Sequence, residues 1–400
     1  MKKYCFNPFL LALIFLFSCK GDSDTTTRTI KIGGLYSLTG NWSSLGKASQ
    51  SAMNLALEDV NNFLEETGSA YRLSTVVSDT KLETATALSA IERNVKDGVR
   101  IFIGPQSSAE IGAIKDFVDE NEVLLVSQGS TASSLAFAED GIFRFCPGDA
   151  VEGAAISRTM YNQGKRAIIT LARNDAGNIG LQTSVGKSFN VLGGEVDAFQ
   201  PYSTDLNNFS VIIQSLRTKI QEYSASVGAS KVGVYIASFD EIVALFNQAA
   251  GDEVLTSVNW YGGDGIVLSS ALLNNAGAVS FATKTSFFAP NFGLPAQPHP
   301  DLDRISTTIF SDSGIEPDAY ALSVYDAMWV IGKTLATHKN VLTDYEKLKE
   351  SFATEANQFF GITGPVLLNE KGDRDVGSFD YWGIVEENGA FSWKVVGKSN

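Results

Sequence analysis

The sequence predicts an α/β protein made of two doubly wound parallel-sheet lobes joined by a three-crossing hinge. Three observations predict it. From Thr29 to Val126 short apolar runs alternate with segments of helical period, a β-α-β-α-β-α-β order that makes a parallel sheet with helices on both faces. The rhythm breaks at Ile142–Pro147, an apolar run stopped by a proline, and then restarts as a second alternating series. A second proline-bearing run at Phe287–Asn291 and a β-like tail after Gly361 suit a chain that crosses back and then crosses again.

The first strand covers Thr29–Tyr36 and ends in the polar loop Ser37–Gly46. A helix follows from Ala48 to about Glu65, with Ala52, Leu55, Ala56, Val60 and Phe63 at helical spacing. Tyr71–Val77 is a strand and Thr84–Asp97 a helix. Ile101–Ile103 is a short strand stopped by Gly104-Pro105, and Val123–Val126 is a second buried strand. Between them Ser107 lies three residues before Glu110, the spacing of a capping box, and opens a helix that runs to about Glu120. Two parallel strands joined by a helix bring both following turns to one sheet edge, where open α/β sheets bind ligands. Those turns carry Ser107, Ser108 and the run Ser127–Thr131, and a helix start favours an anion. The stretch therefore reads as a cradle for a small carboxylate. The plainer alternative is that Ser107 only caps its helix and the second turn is only a loop.

After the break, helices are expected at Val151–Gly164, Gly180–Leu192, Asn208–Tyr223 and Asp240–Ala250. Strands are expected at Ala167–Ala172, Gly194–Phe199 and Lys231–Ala237, with another closed by the turn Gly262–Gly265. Tyr320–Leu335 is a long helix with a dense apolar stripe, and strands follow around Phe379–Val385 and Phe391–Val396. The domain expectation is lobe one from 29–146 and 290–375, and lobe two from 147–289 and 376–400.

The bulk composition narrows the function. Four hundred residues with 44% apolar content make about two well-cored domains, and the formal net charge of −14 without any basic patch argues against nucleic acid. Lys2 and Lys3 followed by an apolar run too short to span a membrane read as a leader over residues 1–19. Leu16-Phe17-Ser18-Cys19 resembles the bacterial lipobox, which makes Cys19 the lipid attachment point and residues 20–28 a tether. Only Cys146 remains in the folded part, so no intrachain disulfide is expected. His299 and His338 are the only histidines, and no zinc, phosphate-loop or dinucleotide motif is present. No cofactor, metal site or catalytic residue is expected, and the chain does not read as an enzyme.

Six blocks in order resemble one family. IKIGGLYSLTGNWSSLGKASQSAMNLALEDVN and FIGPQSSAEIGAIKDFVDENEVLLVSQGST resemble its opening and central segments. FRFCPGD, YSTDLNNFSVIIQSLR, YALSVYDAMWVIGKTL and GITGPVLLNEKGDR…GSFDYW resemble the crossing, the mid-lobe segment, the late helix and the closing segment. The family is the type I periplasmic binding proteins, in particular the branched-chain amino acid type that serves ABC transporters.

The resemblance implies that Ser107, Ser108, Gly129, Ser130 and Thr131 hold a ligand's α-carboxylate from one lobe. It implies that Asp264 takes an α-ammonium from the other; the alternative for Asp264 is a surface turn carboxylate. Leu45 stands where members carry an aromatic before the glycine of the first loop. Asn178-Ile179-Gly180 and Ser238-Phe239 stand near positions that members fill with tyrosines. Leu45, Ile179, Ser238 and Phe239 are thus candidates for the pocket walls, and Tyr36 and Tyr202 are further candidates unless they are ordinary core. The implied protein is a monomeric lipoprotein of the bacterial cell envelope, on the periplasmic or extracellular face. It would touch the membrane through its lipid and deliver a small polar solute, an amino acid first, to ABC permease subunits. A ligand-binding sensor feeding a receptor is the alternative.

Overall fold

The computed structural model describes Met1, residues 27–338 and residues 340–399. The leader, Cys19 and most of the tether lie outside the described residues. Strands β1 to β5 cover Arg28–Tyr36, Tyr71–Asp79, Ile101–Ile103, Leu124–Ser127 and Ile142–Pro147; β6 to β10 cover Ala167–Ala172, Glu195–Ala198, Val232–Ala237, Asn259–Gly262 and Phe288–Phe292. After the small pair β11 (Phe360–Gly361) and β12 (Gly364–Pro365) come β13 (Asp373–Arg374), β14 (Phe379–Glu387) and β15 (Ala390–Lys398). Helices α1 to α6 cover Ser43–Glu66, Thr84–Lys96, Ser108–Glu120, Asp149–Asn162, Ala176–Val191 and Ser210–Val227. Helices α7 to α12 cover Ile242–Ala249, Ser270–Leu273, Ala276–Lys284, Leu302–Ser313, Ala319–Thr337 and Tyr345–Gln358.

Two sheets carry the lobes, in strand orders β13-β5-β4-β3-β1-β2 and β15-β14-β10-β9-β8-β6-β7. The first is parallel throughout. The second is parallel from β7 to β10 and then antiparallel through β14 and β15. That antiparallel edge departs from the all-parallel expectation, and its cause is local. Asn388 and Gly389 both take positive φ, the two-residue turn that pairs adjacent strands as a hairpin. The chain passes between the sheets after β5, after β10 and between β13 and β14.

Alternation along the strands explains why each sheet is covered on both faces. Ile101, Ile103, Leu124 and Val126 enter one core, under α1 and α11, while Phe102, Val123 and Leu125 enter another, under α2 and α3. In lobe two Val232, Val234 and Ile236 face one core and Tyr235 and Ala237 the other. Besides the one-turn α8, three helices escape the sequence reading. In α10 only Ile305 and Ile309 are buried, and α12 buries a narrow stripe of Leu348, Phe352 and Ala356. The third, α9, has nine mostly small residues. Stripes that thin give little periodic signal.

Arg144, on the last strand before the first crossing, ties the hinge together. Its guanidinium donates to both carboxylate oxygens of Asp373, at 2.6 Å from Nη2, and to the carbonyl of Ala132 at 2.6 Å. Two hinge strands and the turn after β4 therefore share one buried charge, which is only 3% exposed. Removing its partner leaves that charge desolvated and unpaired. Asp373→Ala is expected to cost about 3–5 kcal/mol of unfolding free energy in urea titration. A loss below about 1 kcal/mol would show that water takes over the carboxylate's role.

Candidate ligand-binding cleft

Both sheets reverse their winding at one place. In lobe one the chain goes from β1 outward to β2 and then to the other side at β3; in lobe two it goes from β6 to β7 and then to β8. The loops that leave the carboxyl ends of β1, β3, β6 and β8 therefore face a crevice in each lobe. The two crevices meet. The residues between them are Trp42, Ser107, Ser108, Gly129 and Thr131 from lobe one and Asp175, Gly177, Asn178, Leu181, Phe239 and Asp264 from lobe two, closed around a space with room for about one water. Broader grooves open on the outer faces of the lobes, but they lie away from both switch points.

The lobe-one side is built by close backbone approach. A Cβ on Gly46 would lie 1.9 Å from the Ser37 carbonyl, and one on Gly104, where φ is +94°, would lie 2.1 Å from the Leu35 carbonyl. Only glycine allows the loops after β1 and β3 to close on the strand. The Gln106 side chain then joins them, accepting from the Ser37 amide at 3.2 Å and donating to the Trp42 carbonyl at 2.9 Å. Trp42 itself sits at φ 55°, directly ahead of α1.

Ser107 caps α3 in a complete capping box: its hydroxyl accepts from the Glu110 amide at 3.3 Å and donates to Glu110 Oε2 at 2.6 Å. The plainer alternative for this residue is therefore true of its hydroxyl, although the residue also lines the cavity. Ser108 differs. Its Oγ accepts from Ser130 Oγ and from the Ala132 amide, both at 3.1 Å, which leaves its own proton without an acceptor among the described residues. The Gly129 and Thr131 amides and the Thr131 hydroxyl are also unpartnered among the described residues, as is the indole N–H of Trp42. The amino end of α5 faces that of α3, with Gly177 against Ser108. Free donors and two helix N-termini converge, and their partial positive charge suits an anion.

The lobe-two side is acidic. Asp264 follows β9 and is buried, with Tyr320 Oη of α11 donating to it at 2.8 Å. Burial pushes its carboxyl up to about 7, against the opposing effects of the Tyr320 hydroxyl and the Gly265 amide. Phe239 forms the apolar wall, its ring 5.0 Å from that of Trp42 across the cleft. A network fixes the Phe239 loop: Arg173 pairs with Asp175 and Glu241, and Glu241 accepts from Tyr202 Oη at 2.9 Å and from the Phe239 amide at 3.2 Å. Asp240 accepts the Trp42 amide at 2.8 Å, and Ser44 Oγ accepts the Ser270 amide at 3.3 Å, so the lobes are in contact across the cleft.

Among the sequence candidates, Ser107, Ser108, Gly129, Thr131, Phe239 and Asp264 come together around the cavity. Five stand off it. Ser130 lies behind, on Ser108; Leu45 turns into the lobe-one core because α1 starts at Ser43, five residues earlier than expected. Tyr36 is core, donating to Met53 Sδ, and Ser238 is buried behind Phe239 near Gly265. Ile179 follows the lining residue Asn178 in the first turn of α5 without reaching the cavity. Tyr202 supports the Phe239 loop. The aromatic that the first loop supplies is Trp42 rather than Leu45; an aromatic in a polar, glycine-bearing loop was the available signal. Asp175 and Asn178 precede the helix start expected at Gly180, but α5 begins at Ala176, with Asp175 accepting from the Asn178 amide as its cap.

The family model for periplasmic binding protein matches residues 29–373, and the chain belongs to that family. Leu/Ile/Val-binding protein homolog 1 of Brucella melitensis is 24% identical over 93% of this chain and 94% of its own. The branched-chain amino acid transporter substrate-binding protein LivJ of Streptococcus pneumoniae, in complex with isoleucine, superposes with a TM-score of 0.71 at 19% identity, covering 92% of this chain and 99% of its own. An ABC transporter solute-binding protein of R. palustris, in complex with benzoate, does so with a TM-score of 0.72 at 17% identity, covering 93% and 96%. The chain is thus a periplasmic binding protein that shares the type I two-lobe fold, a binding protein and not an enzyme. Proteins of this family are extracytoplasmic, and no helix among the described residues is long and apolar enough to cross a membrane.

The raised carboxyl of Asp264 gives a pH signature. The unfolded chain releases this proton near 3.8 and the folded one near 7. The group's contribution to stability is complete below 3.8 and is lost as pH rises through 7, at about 1 kcal/mol per unit. Asp264→Asn is expected to remove that slope between pH 4 and 7 in denaturant titrations of the empty protein. An unchanged slope would place the proton elsewhere.

Proposed function

We propose that the protein captures a small solute bearing both a carboxylate and an ammonium group, an amino acid, and hands it to an ABC permease. One observation carries this reading: unpartnered hydroxyl and amide donors of lobe one face the buried Asp264 carboxyl of lobe two across the closed cleft. A zwitterion would satisfy both sides as each is buried, the anion on Ser108, Gly129 and Thr131 and the cation on Asp264. Asp175, the other carboxylate at the cavity, is paired with Arg173 and caps α5. The apolar part of the solute would lie against Trp42, Phe239 and Leu181.

Delivery to a permease, a lipid on Cys19, the tether over 20–28 and a monomeric state complete the proposal. The lobe boundaries proposed are the sequence ones. The loosely related isoleucine and benzoate complexes share a carboxylate in their ligands, which suits the lobe-one donors and leaves the ammonium side to be tested.

A thermal-shift screen of residues 20–400 against the common amino acids, small amides and aromatic carboxylates tests the reading. A solute at a hundred times its Kd adds about 2.7 kcal/mol to the folded state, a rise of a few degrees. Stabilisation by an α-amino acid that disappears in Asp264→Ala and Thr131→Ala is the expected result. Stabilisation only by solutes without an amino group would remove Asp264 from its role.

A further inference from the structure

Glu152 lies in the first turn of α4, one turn past the first hinge crossing, and the cleft geometry described so far does not involve it. Its side chain is fully buried, its carboxyl oxygens have no close hydrogen-bond partner among the described residues, and the donor that faces them is the Asp264 amide. The charges that act on it most are those of Asp264 and Asp149. Asp149 accepts from the Ser133 amide and hydroxyl through Oδ1, and its Oδ2 is also unpartnered. Behind them the Tyr235 hydroxyl of β8 has no partner either, and a Cβ on Gly263 would lie 3.1 Å from it.

The surroundings offer no counter-charge to Glu152. Arg144 of β5 is paired with Asp373 and acts on Asp149 rather than on Glu152. Cys146 of β5 has its thiol pushed up by burial and is neutral. From α11, Tyr320 donates to Asp264, while Asp318 is a further buried acid that accepts from Asn291. From β14, Tyr381 bonds Thr159. The amino end of α4 lends only a partial positive charge. Carboxyl groups buried side by side without a cation cannot all ionise, and burial raises Glu152, Asp149 and Asp264 alike.

We propose that Glu152 and Asp264 form a proton-exchanging pair behind the ammonium pocket: the pair holds two protons in the empty cleft at mildly acidic pH and one when an ammonium-bearing solute is bound. This rests on the function proposed above. On binding, the O–H bond of Asp264 breaks, the proton leaves to solvent, and the carboxylate accepts an N–H of the ammonium. Glu152 keeps its proton and acts as a positioning residue, a neutral acid that leaves Asp264 the only anion of the pair. Capture then weakens in acid, by about tenfold per pH unit below 7, because the solute must expel a proton to bind.

Two measurements test it. Calorimetry with L-isoleucine, in buffers of different ionisation enthalpy, is expected to show close to one proton released per solute at pH 6 and close to none at pH 8. Binding at pH 6 with no buffer dependence overturns the proposal. Infrared spectra of the empty protein decide the role of Glu152 without any solute. At pH 8 the wild type is expected to show a protonated-carboxyl band that Glu152→Gln lacks, and an unchanged band overturns the assignment. Should isoleucine give no heat, the amino-acid reading fails for that solute. The pair is then judged by a protonated-carboxyl band that fades as pH rises through 7 in the wild type and is missing from Asp264→Asn, a comparison that needs no Glu152 variant to fold. Absence of that fading band overturns the pair.

Discussion

The Arg144 guanidinium is the interaction on which the cleft depends. A charge that deeply buried survives only when every donor is used, and this one is used across three pieces of chain. Asp373 brings in the strand of the last crossing, and the Ala132 carbonyl brings in the turn after β4. The same turn holds Thr131, whose carbonyl takes the Asp149 amide at 2.8 Å as the chain enters α4. Lobe-one donors and the acidic start of lobe two are therefore indexed to one another through a few atoms at the hinge.

The two walls differ in electrostatic character because of what the fold puts at them. Parallel strands in a doubly wound sheet send helix amino ends to the crevice, so α3 and α5 supply unpaired N–H groups there. Carboxylates must come from side chains, and those at the cavity come from the turn after β9 and from the residue that caps α5. The contrast between free donors on one side and proton-laden acids on the other means that an empty closed cleft satisfies neither. A bound solute with complementary groups would add the missing partners to both walls, and closure of this kind follows the difference in affinity between open and closed forms.

Much of this was legible from residue order. The strand and helix alternation gave the winding, and the winding alone says which loops share a crevice. Ser108, Gly129, Thr131 and Asp264 could be placed because each follows a strand end that the pattern marks. What failed were judgements about burial and register inside polar stretches. Trp42 was hidden because Ser43, Ser44 and Gly46 are poor helix formers, and so the start of α1 read as loop. Asp149 and Glu152, three residues apart, look like ordinary acids complementing a helix dipole. Nothing local says that the first crossing folds them inward, against Asp264 and Tyr235.

The contacts between lobes also bear on what the solute must do. Trp42 meets Phe239 ring to ring, its amide meets Asp240, and Ser44 meets Ser270. Asp240 is half-buried and pushed upward by desolvation, which the Ser269 hydroxyl and the Trp42 amide oppose. Each of these contacts is a single hydrogen bond or a modest aromatic contact, individually about 1 kcal/mol. They are strong enough to define the closed geometry and weak enough to be broken. Such a balance suits the proposed role, in which a solute is held and then released.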